Sequence, residues 1–167
     1  MSLEDTLHPV FKTYHDSILI VSDAKKAVSS RAGHALMETN PYANVRYEQA
    51  RQHTATLLKV LKNGDLETFG RIAEAEAMQL HALMMCSDPS FILMKPNTLR
   101  IINTLYEFRQ ETDIPVCFTL DAGPNVHILY PDQHAELVER FIMDELERYC
   151  VDGNWIADQV GDGPSRC

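Results

Sequence analysis

Val116-Cys117-Phe118-Thr119-Leu120-Asp121-Ala122-Gly123-Pro124-Asn125-Val126-His127-Ile128-Leu129-Tyr130 reads as two extended runs joined by turn chemistry. Residues of a strand alternate between its two faces, so Val116, Phe118 and Leu120 share one side while Cys117, Thr119 and Asp121 share the other. Asp121 thus stands at a strand end on the less apolar face. A carboxylate there, beside a tight loop with outward-pointing N–H groups, suits general-base work or the orienting of a substrate hydroxyl. The plainer alternative is an Asx cap on its own turn. Ala122, Gly123 and Asn125 are the loop support in either case. His127 is one residue into the second strand, and sequence alone does not fix whether it faces Asp121.

Outward from this hairpin the elements alternate in blocks. Ser17 to Val21 reads as a strand ending at Ser22-Asp23. A polar loop carries Val28-Ser29-Ser30-Arg31-Ala32-Gly33-His34 and runs to Asn40-Pro41. Tyr47, Ala50, Thr54, Leu57, Leu58 and Leu61 recur at helical spacing between about 44 and 62, with Asn63-Gly64 as the stop. Asp65 caps a second helix to about Met85, its apolar side made of Leu66, Phe69, Ile72, Ala73, Ala77, Leu80, Leu83 and Met84. The one-residue link predicts antiparallel neighbours. A third helix from Pro96-Asn97 buries Leu99, Ile102, Leu105 and Tyr106, and a fourth after Pro131-Asp132 buries Leu137, Val138, Phe141, Ile142 and Leu146. A weak strand over 155–160 completes an α+β arrangement, an antiparallel β-sheet with helices packed on one face.

Composition bounds the function. The chain has 167 residues, 45% of them hydrophobic and 23% charged, which is ordinary globular composition. One domain of this size buries roughly 70% of its unfolded surface, enough for a core without disulfides. A net charge of −9, with 15 scattered Lys and Arg, argues against nucleic acid as a partner. Apolar runs of about four residues are far short of the roughly 20 that a membrane helix needs. Cys86, Cys117, Cys150 and Cys167 form no CxxC or finger spacing, so reduced thiols and a cytoplasmic location are expected. The opening Met1-Ser2-Leu3 reads as an added leader, leaving 4–167 as a single domain.

Two further features bear on chemistry. Ser29-Ser30-Arg31 offers two hydroxyls and a guanidinium that can grip a phosphate or carboxylate with two parallel hydrogen bonds; a Ser N-cap with a solvated Arg is the alternative. No two of the seven histidines sit at i, i+4, so no metal site is expected among them. His81 reads as a hydrogen-bonded, partly buried histidine, Met84, Met85 and Met94 as core filler, and Glu74 and Glu76 as a solvated helix face.

The strings Val28-Ser29-Ser30-Arg31-Ala32-Gly33, Leu80-His81-Ala82 and Phe118-Thr119-Leu120-Asp121-Ala122-Gly123-Pro124-Asn125, in this order, resemble the C-terminal half of diphosphomevalonate decarboxylase. That family belongs to the superfamily of galactokinase, homoserine kinase, mevalonate kinase and phosphomevalonate kinase, whose kinases carry a glycine-rich loop at the corresponding hairpin. The resemblance implies a ferredoxin-like C-terminal domain and ATP-dependent phosphorylation of the tertiary hydroxyl of mevalonate 5-diphosphate. Loss of phosphate and carbon dioxide then gives isopentenyl diphosphate. It further implies that Asp121 lies against that hydroxyl and that Ser30 and Arg31, with Ser29 beside them, contact the diphosphate or carboxylate end. ATP and Mg2+ would be bound mainly by an N-terminal domain that these residues do not contain, since no phosphate-cradling glycine run is present, and no cofactor is expected in this chain alone. The implied partners are the substrate and that N-terminal domain, with a homodimer left open. Gly33-His34 departs from the family, where methionine is common at the second position. A small-molecule kinase acting on a mevalonate derivative and a non-catalytic dimerisation or binding module are the competing readings.

Overall fold

The computed structural model describes residues 6–24 and 40–161. A four-stranded antiparallel sheet in the order β2-β3-β1-β4 is built from β1 (Tyr14–Leu19), β2 (Cys117–Leu120), β3 (Val126–Pro131) and β4 (Trp155–Gln159). Four helices accompany it: α1 (Ala43–Asn63), α2 (Leu66–Met85), α3 (Pro96–Thr112) and α4 (Ala135–Phe141), the last running on into a π turn over Ile142–Leu146. No helix among the described residues is long and apolar enough to cross a membrane.

β1 begins three residues earlier than its apolar run suggests. As a central strand it pairs with both β3 and β4, and its start is held by packing and by polar partners. Tyr14 packs on Phe11 and Phe69, His15 meets Asp132, and Asp16 meets His127. Beyond Leu19 the chain leaves the ladder, and the Ile20 N–H goes to the Asn154 carbonyl.

The registers Phe118↔Ile128 and Ser17↔Ile128 put Phe118, Leu120, Val126, Ile128, Tyr130, Ser17 and Leu19 on one face. That face is dry. Ile101, Ile102 and Leu105 of α3, with Val138, Phe141, Ile142 and Leu146 from α4 and its π turn, close over it. The buried hydroxyls of Ser17 and Tyr130 satisfy each other at 2.7 Å. α2 lies against β2, where Gly70 comes so close that an added Cβ would be 3.1 Å from the Cys117 Cβ.

The helix links follow their sequence signals. Asp65 Oδ1 accepts from the Thr68 N–H at 3.0 Å, and Gly64 ends α1 with φ 75°. Only glycine takes this left-handed backbone without penalty. Gly64→Ala should therefore cost about 1–2 kcal/mol, with the new Cβ also meeting the His8 ring at 2.6 Å. Urea unfolding of the two forms measures this.

Several packing expectations are corrected. In α3, Leu99 is 48% exposed and Thr98 takes the buried position with Ile101, Ile102 and Leu105, because its hydroxyl satisfies a carbonyl of the hairpin turn. Tyr47 and Leu58 of α1 are exposed. That helix packs on α2 through a stripe in which Arg46 and His53 both bind Glu76. Glu74 and Glu76 are accordingly not a solvated face, and Glu74 pairs with Arg109 at 2.7 Å. Leu137 is exposed, whereas Val138, one position on, faces the core.

Candidate functional site

The turn between β2 and β3 is tied down from three sides. The Asp121 carbonyl accepts from the Gly123 N–H at 2.8 Å and from His81 Nε2–H of α2 at 3.0 Å. Thr98 at the start of α3 donates its hydroxyl to the Pro124 carbonyl at 2.6 Å while accepting from the Lys95 N–H. Asn125 Oδ1 accepts from the Ser22 N–H at 3.0 Å, just past β1. Side chains and backbone from several parts of the chain thus fix the turn that carries the exposed Asp121. Such anchoring is what a reacting carboxylate needs, since a misplacement of about 1 Å can cost 10²-fold in rate.

The alternation predicted for β2 holds. Cys117 and Thr119 lie on the face opposite the dry core, and Asp121, two residues past Thr119, continues that side. His127 is the direct partner of Thr119 across the ladder, which answers the register question. Its Nδ1–H donates to the Asp16 carboxylate, 3.0 Å to Oδ2 and 3.1 Å to Oδ1. That hydrogen bond is the main reason its pKa is raised; partial burial opposes it, and the charges of Asp16 and Asp121 add to it. His81 goes the other way. Burial pushes it below the ordinary histidine value, against the hydrogen bond to Asp121 and the charge there. A neutral His81 with its proton on Nε2 is the donor the turn requires.

Asp121, Gly123 and Asn125 come together as the sequence suggested, with Ala122 at the turn between them. Ser29, Ser30, Arg31 and His34 lie outside the described residues. Thr98, Asp16 and the backbone role of His81 were not singled out beforehand. Nothing in their own neighbourhoods marks them, because each acts on a residue far away in the chain. Among the described residues no group of three or more His, Cys, Asp or Glu is arranged to hold a metal ion. A cavity of about 720 Å³ lies at the other end of β2, between Gly70, Glu74, Tyr106, Arg109 and Cys117, away from Asp121. Its Arg109 is already held by Glu74 and by the Val116 carbonyl.

Residues 17–165 match the mevalonate 5-diphosphate decarboxylase C-terminal domain family, a span that takes in all of the sheet but the start of β1, all four helices and the Asp121 hairpin. The chain belongs to this family. The diphosphomevalonate decarboxylase of Saccharomyces cerevisiae is 31% identical to this chain over 133 residues, which are 75% of this chain and 32% of the yeast protein. The phosphomevalonate decarboxylase of Haloferax volcanii is 30% identical over 84 residues, 50% of this chain and 26% of that protein. The mevalonate pyrophosphate decarboxylase structure from Streptococcus pyogenes superposes with a TM-score of 0.80 at 29% identity, over 92% of this chain and 46% of that one. The chain therefore matches about a quarter to a half of the length of such relatives.

Proposed function

We propose that this domain is the substrate-side half of an ATP-dependent decarboxylase that turns mevalonate 5-diphosphate into isopentenyl diphosphate, ADP, phosphate and carbon dioxide. Asp121 carries this reading: an exposed carboxylate on an anchored turn, at the end of a strand and on the side of the sheet away from the core. It accepts the proton of the substrate's tertiary hydroxyl, or holds that O–H in line, while the oxygen becomes the nucleophile. ATP with Mg2+ supplies the phosphoryl group that converts the hydroxyl into a leaving group. The chain has no glycine-rich phosphate cradle of its own. The nucleotide in this reading belongs to an N-terminal domain, with 4–167 as the C-terminal partner. Ser29, Ser30 and Arg31 are assigned the diphosphate or carboxylate end of the substrate, where a guanidinium can bind two oxygens at once. Cys86, Cys117 and Cys150 are free thiols, which fits a cytoplasmic enzyme.

The Haloferax volcanii relative supports a second reading, in which the substrate is the monophosphate ester. Turnover of the 5-diphosphate and the 5-phosphate by the full-length protein, each with ATP, tests the proposal. A kcat/KM at least tenfold higher for the diphosphate is expected. Preference for the monophosphate would transfer the assignment, and ADP formation without carbon dioxide would make the protein a kinase.

A further inference from the structure

Ser22 lies just past β1 and Lys95 just before α3, and their side chains meet beside the Asp121 turn. Lys95 Nζ donates to Ser22 Oγ at 3.0 Å, and the Ala24 N–H donates to the same oxygen at 3.3 Å. A hydroxyl has two lone pairs and one proton, so a Ser22 oxygen that accepts twice has only its O–H left to offer. An ammonium carries three N–H groups, of which Ser22 takes one. Among the described residues, neither the Ser22 O–H nor the other N–H groups of Lys95 find an acceptor. The carboxylates closest along the connections are Asp23, next after Ser22, and Asp121 on the turn. Neither is an ion-pair partner of Lys95, and the first turn of α3 holds no acidic residue. A cation and a hydroxyl thus present donors alone.

The ladder sets where these donors stand. Leu120 and Val126 are register partners, so Asp121 and Asn125, the residues next beyond them, occupy opposite sides of the mouth of the turn. Asn125 Oδ1 accepts from the Ser22 N–H at 3.0 Å. A ladder spacing of about 5 Å, one side chain and one hydrogen bond therefore separate Asp121 from Ser22, roughly 10 Å in all. In a mevalonate ester only a few bonds lie between the carbon that bears the tertiary hydroxyl and the phosphate. A substrate with that hydroxyl at Asp121 reaches the donors with its phosphate oxygens.

The substrate has two anionic ends, and its chemistry selects one. Carbon dioxide leaves when the electron pair of its C–C bond moves toward the departing phosphate. A cation on the carboxylate would hold charge there and stabilise the ground state more than the transition state. The phosphate ester end keeps its charge throughout, and a compact ammonium suits phosphate as a point charge. We propose that Lys95 and the Ser22 hydroxyl form a subsite for the phosphate end of the substrate. This rests on the function proposed above for the identity of the substrate, and on Asp121 for its position only.

The test compares the full-length protein with Lys95→Met, which keeps the side-chain length and removes the charge, and with Lys95→Arg, which keeps the charge. Lys95 is exposed and its bond to Thr98 comes from its backbone, so unfolding midpoints should match the parent's. Isopentenyl diphosphate, which has the diphosphate and lacks the carboxylate, is titrated by calorimetry without ATP. Lys95→Met is expected to bind it about tenfold or more weakly, the loss of one charged hydrogen bond. Lys95→Arg should stay within threefold of the parent. In steady-state kinetics Lys95→Met should raise KM for mevalonate 5-diphosphate by a similar factor and leave KM for ATP within twofold. Equal binding of isopentenyl diphosphate by parent and Lys95→Met, or none by the parent, overturns the proposal. A rise in KM for ATP alone gives the cation to the nucleotide and overturns it as well. If binding depends on Lys95 but the parent turns over neither ester, the functional assignment fails and the subsite stands.

Discussion

Replacing Asp121 by asparagine in the full-length protein lowers kcat by roughly 10²-fold or more, the loss expected when a positioned acid–base group is removed. The substitution keeps size and shape and removes the charge and the proton acceptor. The carbonyl bonds to His81 and Gly123 use its backbone and are open to asparagine as well. Stability should therefore stay close to the parent's. KM should change far less than kcat, because in the proposed mechanism the carboxylate acts when the hydroxyl proton moves. Steady-state kinetics of both forms, with thermal unfolding alongside, separate a chemical role from a structural one. Turnover within threefold of the parent would remove Asp121 from the mechanism.

The second large effect concerns the dry face of the sheet. Phe118 is fully buried at the centre of β2, 6.0 Å from the Tyr106 ring and inside the cluster that joins the sheet to α3 and α4. Phe118→Ala removes most of a large side chain from a close-packed interior and leaves a cavity, at a cost of about 3–5 kcal/mol. A domain of this size has only about 5–15 kcal/mol in total, so the variant should unfold at a markedly lower denaturant midpoint. Because Asp121 is three residues on, activity should fall too, through a loosened turn. Urea titration at constant m-value checks the stability loss. A loss under 1 kcal/mol would mean that α3 and α4 do not depend on this face.

The parts of the fold readable in advance were those set by local chemistry. Gly64 and Asp65 end one helix and begin the next because a left-handed residue and a side-chain cap act within a turn of themselves. The hairpin was legible because alternation and Gly123-Pro124-Asn125 both operate over a few residues. Leu99 and Leu137 misled because helical periodicity fixes an apolar side only to within one position. Which neighbour turns inward is settled by a distant partner, and Thr98 faces in because it answers the Pro124 carbonyl. Arg46 and His53 occupy the inner stripe of α1 for the same kind of reason, as partners of Glu76 twenty or more residues away. At the site, Asp121 was marked by its own turn. His81, Thr98 and the Asp16–His127 pair are defined by long-range contacts, and only the fold brings them to it.

The most direct test of the account is the ratio of ADP to carbon dioxide formed when the full-length protein is given ATP and mevalonate 5-diphosphate. One carbon dioxide for each ADP is predicted, with both products lost together in Asp121→Asn. ADP without carbon dioxide, or equal turnover in the variant, would contradict it.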